Sequence, residues 1–369
     1  MSAPDERHMI AALELARKGY GRTSPNPMVG AVLVKGRVVI GKGWHRKAGG
    51  HHAEVSAIND AVNRDYNIKG STLYVTLEPC STVGRTGPCT QAIIESGVAR
   101  VVVGAIDPSP KHCGRAFRVL TKAGIEVRKG LLANVAKELN VTFNHWVKAK
   151  TPYTTLKSAM TLDGKIATSS GESKWITGEG SRREGLRLRK GSDAVLVGIN
   201  TVLADDPSLL ARGKRGGTPL RRIILDSKAR TPLDSKVVTD EFSVHTSVVV
   251  LRGAPAKRTL CLRKKVEVID APERRGKIDL KWLMKRLGKE GVLSLLVEGG
   301  GGVNASFLQE NLVHKLAFFY APKIMGGDDS YPAVAGLGIS HIKRFSELKG
   351  VEWRRFGSDL LLTAELAGA

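Results

Sequence analysis

His52, Ala53 and Glu54 stand ahead of Glu78-Pro79-Cys80 and then Cys89, and this set of residue types can do metal chemistry. One imidazole and two thiolates can hold a zinc ion with one coordination position left open, and a carboxylate two residues after the histidine can carry protons without touching the metal. Bound zinc lowers the pKa of a water molecule to about 7, which supplies the nucleophile for hydrolytic removal of a ring amino group at neutral pH. Glu54 is then the carrier that protonates the ring nitrogen and the departing amine. The common two-residue gap between the cysteines is here stretched to eight residues, so Cys89 has to return to the metal through a loop rather than one helical turn. A closed structural zinc site would need a further ligand; three ligands beside a free carboxylate suit an open catalytic one.

A second feature lies far along the chain. Residues 293–298 are an apolar strand, Gly299 to Gly302 are a run of four glycines, and Val303 opens a helix. Glycines let a backbone approach a phosphate closely, and a helix N-terminus offers free amides and a favourable dipole. The run lacks the GxGxxG register and the acidic residue about 20 positions on, so it is not a standard dinucleotide fingerprint. The surplus of basic residues around it favours a phosphate-bearing ligand over a plain turn.

The elements that would position these residues alternate between β and α. Apolar residues recur at helical spacing over 5–19 (Met9, Ala12, Leu13, Ala16). Strands follow at 29–34 and 37–43 with Lys35-Gly36 at the turn. Next come a helix from His52 through about residue 63, a strand at 72–77, a helix at 90–96, a strand at 101–105, a helix at 114–123, a strand at 126–129 and a helix at 134–147. Residues 148–152 read as a linker. The remainder predicts strands at 153–159, 194–197, 222–226, 247–251, 266–269, 293–298 and 315–320, and helices at 181–189, 280–289 and 303–310. The metal motif is not repeated there. Two α/β domains of different chemistry, 1–147 and 148–369, are therefore expected, with the metal-binding segments at helix starts and strand ends, where open-sheet sites lie.

The chain has 369 residues, enough for two or three domains, and its 58 Lys and Arg against 35 Asp and Glu give a formal charge of +23. Such a field attracts polyanions, whether nucleic acids or phosphorylated metabolites. Aromatic residues are only 5% of the chain and are not interleaved with the basic ones, which argues against a stacking platform for single strands. With Cys80 and Cys89 assigned to a metal, Cys113 and Cys261 show no pairing pattern, so a reduced, cytoplasmic protein is expected. No stretch of about 18 apolar residues is available for a membrane span.

Further landmarks are Ser24-Pro25-Asn26-Pro27-Met28-Val29-Gly30, Gly43-Trp44-His45 and Gly84-Arg85-Thr86. Beyond residue 150 stand Ser158-Ala159-Met160-Thr161-Leu162-Asp163-Gly164-Lys165, Ser173-Lys174-Trp175-Ile176-Thr177, Asp205-Asp206-Pro207 and Glu298-Gly299-Gly300. In this order, over nearly the whole chain, they resemble the bifunctional deaminase/reductase family of riboflavin biosynthesis. The resemblance implies an N-terminal cytidine-deaminase-like zinc domain followed by a dihydrofolate-reductase-like domain that uses NADPH. It implies a pyrimidine bearing a ribosylamino 5-phosphate, which loses its 2-amino group and then has its ribose reduced to ribityl. Asn26 and His45 would touch the deaminase substrate and Arg85 its phosphate. Ala159, Trp175, Thr201, Asp205, Ser227 and the loop Gly300, Gly301, Gly302, Val303, Asn304, Ala305, Ser306 would line the NADPH site. Lys157, Ser173, Arg189, Leu209, Arg212 and Glu298 would line the reductase substrate.

Two positions depart from the family's pattern. His51 stands where a proline usually precedes the His-Ala-Glu triplet, and Thr82-Val83 replace a histidine after Pro-Cys-Ser. The partners expected are the phosphorylated pyrimidine and further copies of this chain, with neither nucleic acid nor a membrane.

Overall fold

The computed structural model describes residues 3–82, 87–110, 112–211, 219–336, 338 and 346–367. They form two compact units that divide between Lys150 and Thr151. In the first unit the elements are α1 (Ala3–Arg17), β1 (Gly30–Lys35), β2 (Val38–Trp44), α2 (Ala53–Val62), β3 (Thr72–Leu77), α3 (Cys89–Glu95), β4 (Arg100–Ala105), α4 (Arg115–Lys122), β5 (Glu126–Lys129), α5 (Ala133–Leu139) and α6 (Val141–Ala149). Its sheet has the order β2-β1-β3-β4-β5. The β1–β2 and β1–β3 pairs are antiparallel, and β3, β4 and β5 run parallel.

Both faces of this sheet are covered, and the two-residue period of the strands sorts the core. Ala31, Leu33, Leu73, Val75, Val101 and Val103 pack with α2 and α3, whereas Val32, Val34, Tyr74 and Val102 pack with α1 and α5. Helix α2 lies unusually close to the sheet. A Cβ on Gly43 would fall 2.2 Å from the Ala53 carbonyl oxygen, and one on Gly41 would fall 2.2 Å from that of Ala57. Only glycine permits that approach, and it fixes where the first turn of α2 points.

The single helix expected at 134–147 is two helices. The chain breaks at Asn140, whose backbone (φ −112°, ψ 27°) leaves the helical region, and α6 then runs on to Ala149.

The second unit contains β6 (Tyr153–Thr161), β7 (Lys165–Ala167), α7 (Glu179–Lys190), β8 (Ala194–Gly198), α8 (Ile199–Asp205), β9 (Arg221–Leu225), α9 (Lys236–Thr239), β10 (Thr246–Leu251), α10 (Ala256–Arg263), β11 (Glu267–Ala271), β12 (Glu273–Arg274) and β13 (Lys277–Ile278). It continues with α11 (Leu280–Lys289), β14 (Ser294–Val297), α12 (Gly301–Gln309), β15 (Lys315–Ala321), β16 (Tyr331–Pro332), β17 (Leu348–Phe356) and β18 (Asp359–Leu366). Among the described residues its large sheet has the order β11-β10-β9-β8-β14-β6-β15-β18-β17. All pairs are parallel except those of the C-terminal hairpin, where β18 runs antiparallel to β15 and to β17.

The central strands are continuous apolar runs because helices cover both faces. The expected strand and helix pattern is present; β7, α8, α9, α10, the short hairpin β12–β13, β16 and the hairpin β17–β18 are additional. The hairpin also reaches back in sequence. The Asp359 carboxylate accepts hydrogen bonds from the Gly178 amide (2.7 Å) and the Ser181 hydroxyl (2.6 Å) and so caps α7, the helix whose last turn carries Arg189.

Candidate functional sites

At the start of α2 the chain turns so that His52 precedes the helix and Glu54 lies in its first turn. Cys80 follows β3, and Cys89 is the first residue of α3, where the helix dipole favours a thiolate. His52 Nδ1 lies 3.1 Å from Cys89 Sγ and 3.4 Å from Cys80 Sγ, and all three donor atoms lie within 4.8 Å of one another. Ligand separations of ~3.5–4 Å follow from Zn–N and Zn–S bond lengths in a tetrahedron, so this donor set, one imidazole and two thiols, fits zinc. The Cys89 amide donates to Cys80 Sγ at 3.3 Å. The hydrogen bond with the Cys89 thiol, helped by His52, pulls the Cys80 thiol well below its ordinary range, and the same bond together with burial pushes Cys89 up.

Glu54 is not among the three donors. It is only 3% exposed, and burial pushes its carboxyl up to about 7 against the opposing pull of His52. A carboxyl with a pKa there can both take and give a proton near neutral pH.

The second layer of the site is built from amides. Asn26 donates through Nδ2 to His45 Nε2 at 3.1 Å, and His45 Nδ1 donates to the His51 carbonyl at 3.0 Å. A carbonyl only accepts, so Nδ1 carries the His45 proton and Nε2 is the acceptor. Burial keeps this imidazole below its ordinary pKa, and His45 is 3% exposed. The Asn26 amide is thereby oriented by His45. The departure at His51 follows: its exposed side chain is outside the donor set and only its carbonyl is used, which a proline would also supply. Thr82 is described, whereas Val83 and Arg85 lie outside the described residues.

Sequence reasoning did not single out two residues that hold this site. Asn140, at the break between α5 and α6 and 3% exposed, grips Met28 from both sides: its Oδ1 accepts from the Met28 amide at 2.7 Å and its Nδ2 donates to the Met28 carbonyl at 2.9 Å. The segment 24–30 is thus tied to the residue that separates α5 from α6. Glu78, present in the motif, accepts from the amides of Asp107 (3.2 Å), Gly114 (2.9 Å) and Ala116 (3.1 Å), which caps α4 and pins the loop before it. Because Leu can fill Asn140's volume without either bond, Asn140→Leu should raise the deaminase KM several-fold more than it lowers kcat, with zinc content unchanged by elemental analysis. An equal fall in zinc and activity would show that Asn140 serves folding alone.

In the second unit one cavity of about 1900 Å³ is lined by Lys157, Ala159, Ser173, Trp175, Arg189, Thr201, Asp205, Leu209, Ser227 and Glu298, together with Gly300, Gly301, Gly302, Val303 and Ser306. At its centre Arg189 meets Glu298 as a fork, Nε to Oε1 at 2.6 Å and Nη2 to Oε2 at 2.9 Å, with Lys157 Nζ 3.5 Å from Oε2. Burial alone would push the Glu298 carboxyl up, but Arg189 and Lys157 more than reverse this and hold it at about 2. Ser173 donates to Asp205 at 3.0 Å, and the Trp175 ring, 67% exposed, lies on the cavity wall with the Arg182 guanidinium 4.6 Å from its centre.

Asn304 and Ala305 lie behind the wall. Asn304 is fully buried and donates to the Ala333 carbonyl at 2.7 Å, which anchors the glycine loop from below. Asp163 accepts from the amides of Met325 and Gly326 and fixes that turn. Arg212 lies outside the described residues.

Both halves have relatives. A family model described as the cytidine and deoxycytidylate deaminase zinc-binding region matches residues 2–105, and one described as the RibD C-terminal domain matches residues 152–362. The riboflavin biosynthesis protein RibD of Aquifex aeolicus is 42% identical over 358 residues, covering 97% of each chain, and that of Escherichia coli is 38% identical over 377 residues, covering 99% of this chain and 100% of that protein. Among solved structures, Acinetobacter baumannii RibD superposes with a TM-score of 0.87 at 34% identity and 99% coverage of both chains. A Thermotoga maritima diaminohydroxyphosphoribosylaminopyrimidine deaminase/5-amino-6-(5-phosphoribosylamino)uracil reductase gives 0.86 at 36% identity, with 99% of both chains covered.

Proposed function

The chain belongs to the RibD family of riboflavin-biosynthesis proteins, and from that premise we propose how its two sites divide the work. It is a bifunctional enzyme, a zinc-dependent deaminase and an NADPH-dependent reductase. The first unit takes 2,5-diamino-6-(5-phosphoribosylamino)pyrimidin-4-one and replaces its 2-amino group by oxygen, releasing ammonia. His52, Cys80 and Cys89 would hold the zinc ion, which supplies an activated water when bound. Glu54 would take one proton from the attacking water and pass it to the ring nitrogen, then take the second from the hydroxyl so added and pass it to the amine, which leaves as ammonia while the carbonyl forms. Asn26, aligned by His45, presents its amide to the pyrimidine edge.

The second unit binds the deaminated product and reduces its ribosyl group to ribityl. The amides at the start of α12 would hold NADPH, which supplies a hydride when bound, and a proton from solvent would complete the reduction. Lys157 and Arg189, both bonded to Glu298, present cationic faces to a sugar phosphate, and Ser173 and Leu209 complete that wall. The observation that carries the reading is the coexistence of the His52–Cys80–Cys89 cluster beside a buried, unligating Glu54 in one unit and the Glu298-centred cavity behind the glycine loop in the other.

No helix of the described residues is long and apolar enough to cross a membrane. A cytoplasmic, self-associating enzyme without a nucleic-acid partner is the setting we assign; the unpaired cysteines and the scarcity of aromatics among the basic residues support it.

The direct test supplies the purified chain with the phosphoribosylated diaminopyrimidine. Ammonia should appear without NADPH, and NADPH oxidation should appear only with a substrate that has been deaminated. In a Glu54→Gln chain, which should leave the diaminopyrimidine intact, rapid oxidation of NADPH on that compound would contradict this order of reactions.

A further inference from the structure

The cavity of the second unit crosses several strand ends, and the order of those strands gives it a direction. Lys157 comes from β6, Glu298 and the glycines follow β14, Thr201 follows β8 and Ser227 follows β9, and these strands are neighbours in the order β9-β8-β14-β6. The reacting end is marked by Glu298 with Lys157 and Arg189. The amides at the start of α12 suit the pyrophosphate. From β14 to β9 is two strand spacings, about 10 Å, so the adenosine half of an extended dinucleotide reaches Thr201 and Ser227.

The cavity is also lined by a second element, the β12–β13 hairpin, which follows β11 and packs through β13 against β10, the neighbour of β9. Arg274 pairs with Lys277 across it, and Arg275 and Gly276 form its two-residue turn, both with positive φ (53° and 76°). Arg274, Arg275 and Lys277 all line the cavity. Lys277 Nζ lies 3.5 Å from the Ser306 hydroxyl, which sets the hairpin beside α12, and Arg274 lies 3.4 Å from Glu310. Arg230, on the wall near Ser227, is already bonded to Asn200 at 2.9 Å. Arg275 makes no hydrogen bond or ion pair among the described residues. Three cations around one cavity end, one of them uncommitted, match a compact dianion, and a guanidinium is the side chain suited to a forked phosphate contact.

We propose that the tip of this hairpin, with Arg275 as the principal contact and Arg274 and Lys277 beside it, holds the 2′-phosphate of NADPH and thereby sets the preference for NADPH over NADH. The assignment rests on the cofactor reading above. The test titrates the full chain with NADPH and with NADH, following nucleotide fluorescence, in the parent and in Arg275→Ala, Arg275→Lys and Arg230→Ala variants, with calorimetric melting as the control for folding. Arg275→Ala should weaken NADPH roughly 10- to 100-fold, as expected for a charge-assisted contact, and leave NADH within about two-fold; Arg275→Lys should fall between. The NADPH affinity of Arg275→Ala should also fall less steeply with added salt than that of the parent. Equal losses for both nucleotides, or an unchanged NADPH affinity, would overturn the assignment, as would a selective loss confined to Arg230→Ala. A parent chain that bound both nucleotides equally would instead overturn the cofactor preference itself.

Discussion

Replacement of Glu54 by glutamine should lower ammonia release by about 10²- to 10⁴-fold, the usual contribution of a positioned general acid/base, while the protein keeps its full zinc content. Glutamine preserves the volume and packing of a side chain that is 3% exposed, so the fold of α2 is not disturbed, but an amide cannot shuttle the two protons that deamination requires. Zinc is retained because the donors are His52, Cys80 and Cys89. The deaminated intermediate, supplied with NADPH, should still be reduced at the normal rate, since no residue of the second cavity lies in the first unit. Conversely, Lys157→Ala should leave ammonia release intact while NADPH oxidation falls. Loss of NADPH oxidation in Glu54→Gln on the supplied intermediate would force a single shared site.

The second large effect is expected at Glu298. Its carboxylate is the shared partner of Arg189 and Lys157, whose side chains are each only 20% exposed. Glu298→Ala leaves two cations facing each other in a wall from which water is largely excluded, a loss of roughly 3–5 kcal/mol when one member of a buried pair is removed. The second unit should melt at lower temperature and NADPH oxidation should disappear, and both can be read by calorimetry and by absorbance.

The sign with pH follows from the depressed carboxyl. The folded value, about 2, lies below the ordinary glutamate value of about 4.3, so this stabilisation is complete above that ordinary value and is lost as pH falls toward 2. A Glu298→Gln chain should therefore show a flatter fall in stability over that acid window than the parent. Parallel curves would mean that Glu298 is not ionised in the folded protein.

Much of this was legible in the sequence because the chemistry is encoded by residue type at short spacing. The histidine of the His-Ala-Glu triplet and the two cysteines, which read as one cluster from residue type alone, come together, and the four glycines line the second unit's cavity. What escaped was long-range or lacked a pattern. Nothing about Asn140 in its own neighbourhood shows that its amide closes on Met28, 112 positions away. The β17–β18 hairpin carries an edge strand exposed along nearly its whole length, Leu348–Phe356, so it shows no apolar alternation. The split of the helix at Asn140 escaped for a related reason: apolar spacing continues across it, and the residue at the break bonds to a distant loop.

The clamp of Asn140 on Met28 also bears on where one activity could be cut away from the other. The stretch that matches the zinc-binding family model ends at residue 105, and every metal donor is inside it. Yet Met28, in the segment proposed to meet the substrate, is secured from residue 140, past the last strand of the sheet. Modularity judged by ligand motifs and modularity judged by mechanical support therefore have different borders in this chain. An excised fragment ending at 105 would lack that brace, so a fragment meant to keep the deaminase should extend at least through Asn140.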